Sequence, residues 1–309
     1  MAFIKQFFPK SIFICCCILC LKSGYSQDVE PRRWTSIPLG INVVGATYVY
    51  TNAQVNFDPV LELTDVSLEA NTFAASYVRP FKLANKLARV DVVIPYSIDH
   101  WEGFLSGEAA STNRSGFMDP WLRLSVNLIG PPPGGPKELK EYYEENPVST
   151  TFGVSLGVTL PFGQYFDEKL INVGNNRFVF RPQAGVVHRW GLWSFEVTGS
   201  LTIFTSNTNF FNGNTLSQNP TIGLQSHLIK QFKNQMWASL SAAYNQGGSS
   251  IVNDVSNNDQ RAYFYSGASL GYTFAGNQGI KIAYIRSQAL RDVGSDSNSL
   301  ALAWSMSFR

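Results

Sequence analysis

The chain has 309 residues, and its 24 Lys and Arg against 22 Asp and Glu leave a formal charge of +2, which makes no electrostatic case for nucleic acid. All four cysteines, Cys15, Cys16, Cys17 and Cys20, lie near the N-terminus, so the rest of the chain has no disulfide and no thiolate metal ligand. Aromatic residues make up 14% and charged residues only 15%, a profile that fits a soluble all-β protein or a transmembrane β-barrel.

In chain order, MAFIKQFFPK carries Lys5 and Lys10, SIFICCCILCL is an apolar run, and KSGYSQ supplies small residues around a cut after Ser26. This pattern predicts a cleaved secretory signal peptide over residues 1–26, because the run is shorter than the roughly 20 residues a membrane-spanning helix needs. Ile18-Leu19-Cys20 lacks the small residue that precedes a lipid-modified cysteine. Without Lys5, Lys10 and Lys22, 21 basic residues face 22 acidic ones, and residues 27–309 read as a single domain.

Period-two alternation between turn signals then predicts twelve strands, at about 39–50, 60–78, 86–97, 118–129, 149–162, 177–189, 192–205, 219–232, 235–246, 261–274, 278–286 and 297–309. Most exceed the five or six residues usual in soluble sheets and suit a tilted strand crossing a bilayer, which takes about 9–11. Connections after even strands are brief, as at Gly191 and Lys233-Asn234, whereas several after odd strands are long and rich in Asn, Ser and Gly, as in SNTNFFNGNTLSQN. Short turns at one end, long loops at the other and an even strand count predict an all-β, antiparallel, transmembrane barrel of outer-membrane type. GPPPGGPKELKEYYEENPVS breaks the rule. This periplasmic connection near 130–148 holds Leu139, Tyr142 and Tyr143 at helical spacing, either a cap on the mouth or a solvated helix beside the rim.

Parity assigns the faces. In the fourth strand Leu122, Leu124, Val126 and Leu128 alternate with Arg123, Ser125 and Asn127, and an arginine facing lipid at mid-bilayer would cost roughly 2–4 kcal/mol. Arg123 and Asn127 are therefore expected in the lumen. The same rule collects Glu69, Arg89, Asp91, Arg181 and Glu196 as lumen and solute-path candidates, either an ion-pair lattice or a selective constriction. Aromatics recur at strand ends where interfacial girdles belong, with outer-membrane lipid as the surrounding partner. In SNSLALAWSMSFR, Leu300, Leu302, Trp304, Met306 and Phe308 form a lipid face, and this last strand is the expected handle for the barrel-assembly machinery; Arg309 departs from the usual terminal aromatic.

Two stretches, RSGFMDPWLRLSVNLIGPP (114–132) and LINVGNNRFVFRPQAG (170–185), resemble hallmark segments of the outer-membrane family labelled MetA-pathway of phenol degradation. Arg114, Asp119, Pro120, Asn172, Gly174, Arg177 and Pro182 are among the matching residues, and the resemblance covers most of 40–309. It implies an outer-membrane barrel that takes up small hydrophobic or aromatic solutes, with no catalytic residue and no cofactor.

Other chemistry finds little support in the sequence. The chain has three histidines, His100, His188 and His227, without metal-site spacing, and Ser226 next to His227 on a strand points to the opposite face. A nucleophile would have to come from another strand, so an enzyme is not expected. The loops IVNDVSNNDQ and LRDVGSDSN lack calcium-loop spacing. The function expected is passive uptake across a Gram-negative outer membrane, the alternative a non-transporting structural or surface-binding barrel.

Overall fold

The computed structural model describes residues 29–56, 63–257 and 259–309; the signal peptide expected over 1–26 lies outside the described residues. The strands are β1 (Asn42–Asn56), β2 (Leu63–Leu83), β3 (Lys86–Leu105), β4 (Glu108–Phe117), β5 (Trp121–Ile129), β6 (Val148–Thr159), β7 (Val179–Trp190) and β8 (Trp193–Phe204). They continue with β9 (Asn207–Phe210), β10 (Asn214–Gln218), β11 (Thr221–Gln231), β12 (Met236–Gly247), β13 (Ser250–Val252), β14 (Val255–Ser256), β15 (Arg261–Phe274), β16 (Gln278–Ala289) and β17 (Gly294–Phe308). A helix, α1 (Pro136–Glu145), joins β5 to β6.

Thirteen of these strands form one antiparallel sheet that closes on itself, with β1 paired to β17 from Asn42↔Phe308 to Asn56↔Gly294. They make twelve staves, because β4 and β5 share one. Both pair with β3, β4 along its upper half (Tyr96↔Phe117 to Leu105↔Glu108) and β5 along its lower half (Leu87↔Asn127 to Val93↔Trp121). The fourth stave, expected at 118–129, therefore begins ten residues earlier in the chain, at Glu108, and is broken at Met118-Asp119-Pro120. Pro120 has no N–H to give a ladder, and the Asp119 side chain is turned into a loop described below. The remaining strands, β9, β10, β13 and β14, form a separate four-stranded sheet from the connections after β8 and β12.

The two faces follow the alternation. Leu122, Leu124, Leu128, Phe195, Leu201, Ile203, Leu300, Leu302, Trp304 and Phe308 are exposed on the outside, while Arg123, Ser125, Glu196, Thr198 and Thr202 are buried inside. Soluble proteins rarely leave so large an apolar surface in water; here it faces hydrocarbon. Apart from the connection that holds α1, the turns at the end carrying Asn42 and Phe308 are tight. Ala84 and Asn85, both with positive φ (45° and 61°), make the two-residue hairpin between β2 and β3.

The wall is not of even height. β2 has 21 residues and β3 has 20, against 12 each in β6, β7 and β8. At roughly 3.3 Å per residue β2 and β3 run about 65–70 Å, far beyond what one crossing takes.

Leu240, 65% exposed at the middle of β12, tests the lipid face. Leu240→Arg should lower the folding free energy into lipid vesicles by roughly 2–4 kcal/mol in a urea titration, whereas Leu240→Phe should be close to neutral.

Candidate functional site

The chain enters β1 at the turn-bearing end, yet residues 29–41 do not stay outside. They fold back into the barrel, with a turn at Pro31–Trp34, and fill much of its lumen. The room comes from the inner faces of β6 and β7, where parity brings Gly153 and Gly185 inward. A Cβ on either glycine would collide with the Trp34 indole. Trp34 is 2% exposed and donates its Nε1–H to Thr198 Oγ1 at 2.7 Å. The Arg33 guanidinium lies over the Trp34 ring at 4.5 Å and donates to Ser125 Oγ at 2.8 Å. Further in, Val29 packs against a cluster of Ala243, Tyr263 and Tyr265.

Charge then ties this segment to the wall. Arg123 donates to Glu30 at 2.6 Å and to Asp91 at 2.9 Å, and Asp91 also holds Arg89 at 3.2 Å. Asp91 and Arg123 are directly opposed in the β3–β5 register, so the sheet presents the pair before the segment arrives. The Glu30 main-chain N–H bonds Gln225, and Asn127 donates to Ser36 at 3.3 Å. Burial pushes the Glu30 carboxyl up, but the guanidiniums of Arg123, Arg33 and Arg89 outweigh it and hold the group at about 2.

At the turn-bearing mouth α1 closes over the segment's exit. Pro136 opens the helix, Leu139 is buried, and Leu39 N–H donates to Gly134 O at 2.8 Å. Ser36 hydrogen-bonds Tyr143, whose ring carries Arg189 at 4.7 Å. The connection near 130–148 thus touches the N-terminal segment at Ser36 and Leu39, a contact common to both roles considered for it.

Of the lumen candidates, Arg89, Asp91, Arg123, Asn127 and Glu196 gather around residues 30–36, the last with its carboxylate facing the main chain of Arg33 and Trp34. Arg181 is on the inner parity, in one row with Gly157 and Arg123. Glu69 is a correction. It is exposed and shares the outward parity of Phe73, opposite Asn52 and His100. The penalty behind the parity rule acts only in hydrocarbon, and β2 extends well past the length needed to cross it. Glu30, Arg32, Arg33, Trp34 and Ser36 were not among the expected residues. Their one signal is Pro31-Arg32-Arg33-Trp34, a turn proline followed by two charges and an aromatic ahead of the first strand.

A second cluster holds the family-motif residues. Asp119, at the break in the fourth stave, accepts the Gly163 N–H at 2.9 Å and the Asn175 N–H at 2.7 Å. Arg114 donates to Ile171 O at 2.7 Å; Asn172 closes its own turn through Phe166 and Lys169; Gly174 packs where a Cβ would lie 2.9 Å from the Gly163 carbonyl carbon. Arg177 stacks on Phe204 and donates to Gln218. Pro120 and Pro182 interrupt ladders on either side, so the motif pins the 160–178 connection to the broken stave.

One row invites comparison with a hydrolase. Glu196, His227 and Ser241 are opposed on β8, β11 and β12, and His227 Nδ1 lies 2.8 Å from Ser241 Oγ. A nucleophilic triad needs the carboxylate on the other ring nitrogen. That nitrogen bonds Gln225 at 3.0 Å, Glu196 makes no hydrogen bond to the ring, and Glu196 and His227 are fully buried.

Fold and interior together define a twelve-stranded barrel of outer-membrane type whose lumen is occupied by its own N-terminal segment. Residues 44–297 match the family described as "Putative MetA-pathway of phenol degradation", and the chain belongs to that family. Among solved structures it resembles an outer membrane channel from Pseudomonas putida F1, at 15% identity and TM-score 0.74, covering 91% of this chain and 100% of that one. It also resembles the transport unit of the autotransporter AIDA-I from Escherichia coli, at 12% identity and TM-score 0.51, covering 92% and 94%. No curated protein matches it.

Trp34→Ala empties the glycine cradle and should expose residues 29–41 to added protease while the barrel keeps its heat-modifiable mobility on gels; a Trp34→Phe variant should retain most of the protection. Because the Glu30 pKa is depressed from 4.5 to about 2, its contribution to docking is complete above pH 4.5 and is lost as the pH falls through about 2. Protease protection of the wild-type segment should therefore fall over that window, and Glu30→Gln should be weakly protected throughout with a flatter acid response.

Proposed function

We propose that the protein is a passive outer-membrane channel for small apolar or aromatic compounds, and that residues 29–41 control its conducting path. The observation that carries this reading is how the segment is held: by ion pairs and hydrogen bonds to the wall, with an open cavity of about 390 Å³ left along one side. Trp237 on the cavity wall supplies an aromatic surface for aromatic solutes, and the family's association with phenol degradation points the same way. In this reading residues 1–26 direct export and are removed, β17 is the strand recognised during assembly, and no cofactor takes part.

The second reading, a non-transporting barrel that binds at the cell surface, is favoured by one observation: the β9, β10, β13 and β14 connections are organised into a sheet of their own. Planar-bilayer recordings separate the two. Deletion of residues 29–37 should raise conductance at least tenfold over the full-length protein. The pair Ser36→Cys and Asn127→Cys, whose wild-type side chains meet at 3.3 Å, should hold the channel closed until a reductant is added. If neither the full-length nor the deleted protein, correctly folded, passes current or solute, the channel reading fails and the surface-binding reading remains.

A further inference from the structure

The cavity beside the N-terminal segment is lined by cations and by the Trp237 ring. It lies between residues 31–37 and the inner faces of β1–β3, β12 and β15–β17, and its volume falls within the ~300–1,000 Å³ of small-molecule sites. Three cations, Arg32, Arg89 and Lys281, line it, and no carboxylate does among the described residues. Arg89 is matched by Asp91 at 3.2 Å. Arg32 and Lys281 make no ion pair within 4 Å among the described residues; the carboxylates that act on them, Glu196 on Arg32 and Glu30 on Lys281, lie beyond that distance and outside the lining, so two positive groups face the cavity with no carboxylate in contact.

The cavity also has a flat wall. In the register Trp237↔Gly271↔Lys281 the indole of Trp237 leans across Gly271, where any Cβ would collide with it, towards the strand that carries Lys281. The Arg32 guanidinium stacks on the same ring at 5.0 Å, held there by a left-handed backbone (φ 68°) that a non-glycine residue adopts only when its surroundings impose it. A planar fork and a point charge thus stand beside an aromatic face, with Ile37 and Ala303 completing an apolar side. Arg matches a carboxylate in two-point geometry, Lys adds charge without geometry, and the ring and aliphatic wall take a flat apolar body.

We propose that this cavity is a binding site for small aromatic carboxylate anions, with Arg32 and Lys281 holding the carboxylate and Trp237 the ring. The proposal rests on the channel reading and narrows its solute class from apolar or aromatic compounds to aromatic acids. Because Arg32 belongs to the N-terminal segment and Lys281 to the wall, the anion would bridge the two.

Isothermal titration of the full-length protein in detergent tests it, with benzoate as the probe, benzyl alcohol as its uncharged counterpart and acetate as the anion without a ring. Benzoate should bind with a 1:1 stoichiometry, and both comparison compounds at least tenfold more weakly. Lys281→Met and Arg32→Gln should each weaken benzoate at least tenfold, with gel mobility confirming a folded barrel. Equal binding of benzyl alcohol, or benzoate affinity unchanged in both variants, overturns the proposal. Bilayer recordings keep the two readings apart: conductance without benzoate binding removes the site and leaves the channel, whereas benzoate binding without conductance or uptake keeps the site and removes the channel.

Discussion

Everything in this molecule depends on one requirement of hydrocarbon, that no main-chain N–H or C=O be left without a partner. The β1–β17 seam meets it by joining the first and last staves over fifteen register pairs. Closure fixes which parity faces lipid and which faces inward, and so delivers Arg123, Asp91 and Glu196 to a common interior from strands far apart in the chain. The charges are a consequence of the wall, since in the lumen they escape a penalty that they would meet on the outside.

Charges sealed in a narrow lumen need counter-charges, and the structure supplies them from its own N-terminus. Glu30 completes the Arg123 guanidinium that Asp91 half satisfies, and removing one member of such a buried set typically costs about 3–5 kcal/mol because the other is stranded. The same interactions that fill the interior are polar and local, so the segment and the wall are stabilised by different forces. The barrel persists through ladder hydrogen bonds that nothing in lipid competes for. The segment persists through contacts that water and ions compete for whenever they gain entry.

The wall was legible in the sequence to a degree that soluble folds rarely allow, because lipid enforces alternation along whole strands. Leu122 through Leu128 and Leu300 through Phe308 could be assigned to the outer face from parity alone. Parity says nothing of height, however, and for that reason Glu69 was misplaced and β4 was read as loop although it continues a stave. Nor does a polar inner face say what covers it: Ser125, Thr198 and Gln225 would look the same against water as against Arg33, Trp34 and Glu30. Of the family-motif residues, Asp119 and Arg114 fix a loop, but their partners Gly163 and Ile171 lie more than forty positions away and no local pattern marks them.

The uneven wall also leaves the rim unequally covered. β2, β3 and β4 stand as a screen along one side of the rim, and the small sheet of β9, β10, β13 and β14 rises from the connections on the opposite side. Over β6 and β7 the rim is occupied by the connection that Asp119 secures. Between β16 and β17 there are only residues 290–293. The short connection therefore leaves no element of secondary structure over β16 and β17, the two strands whose inner faces border the cavity that Lys281 lines.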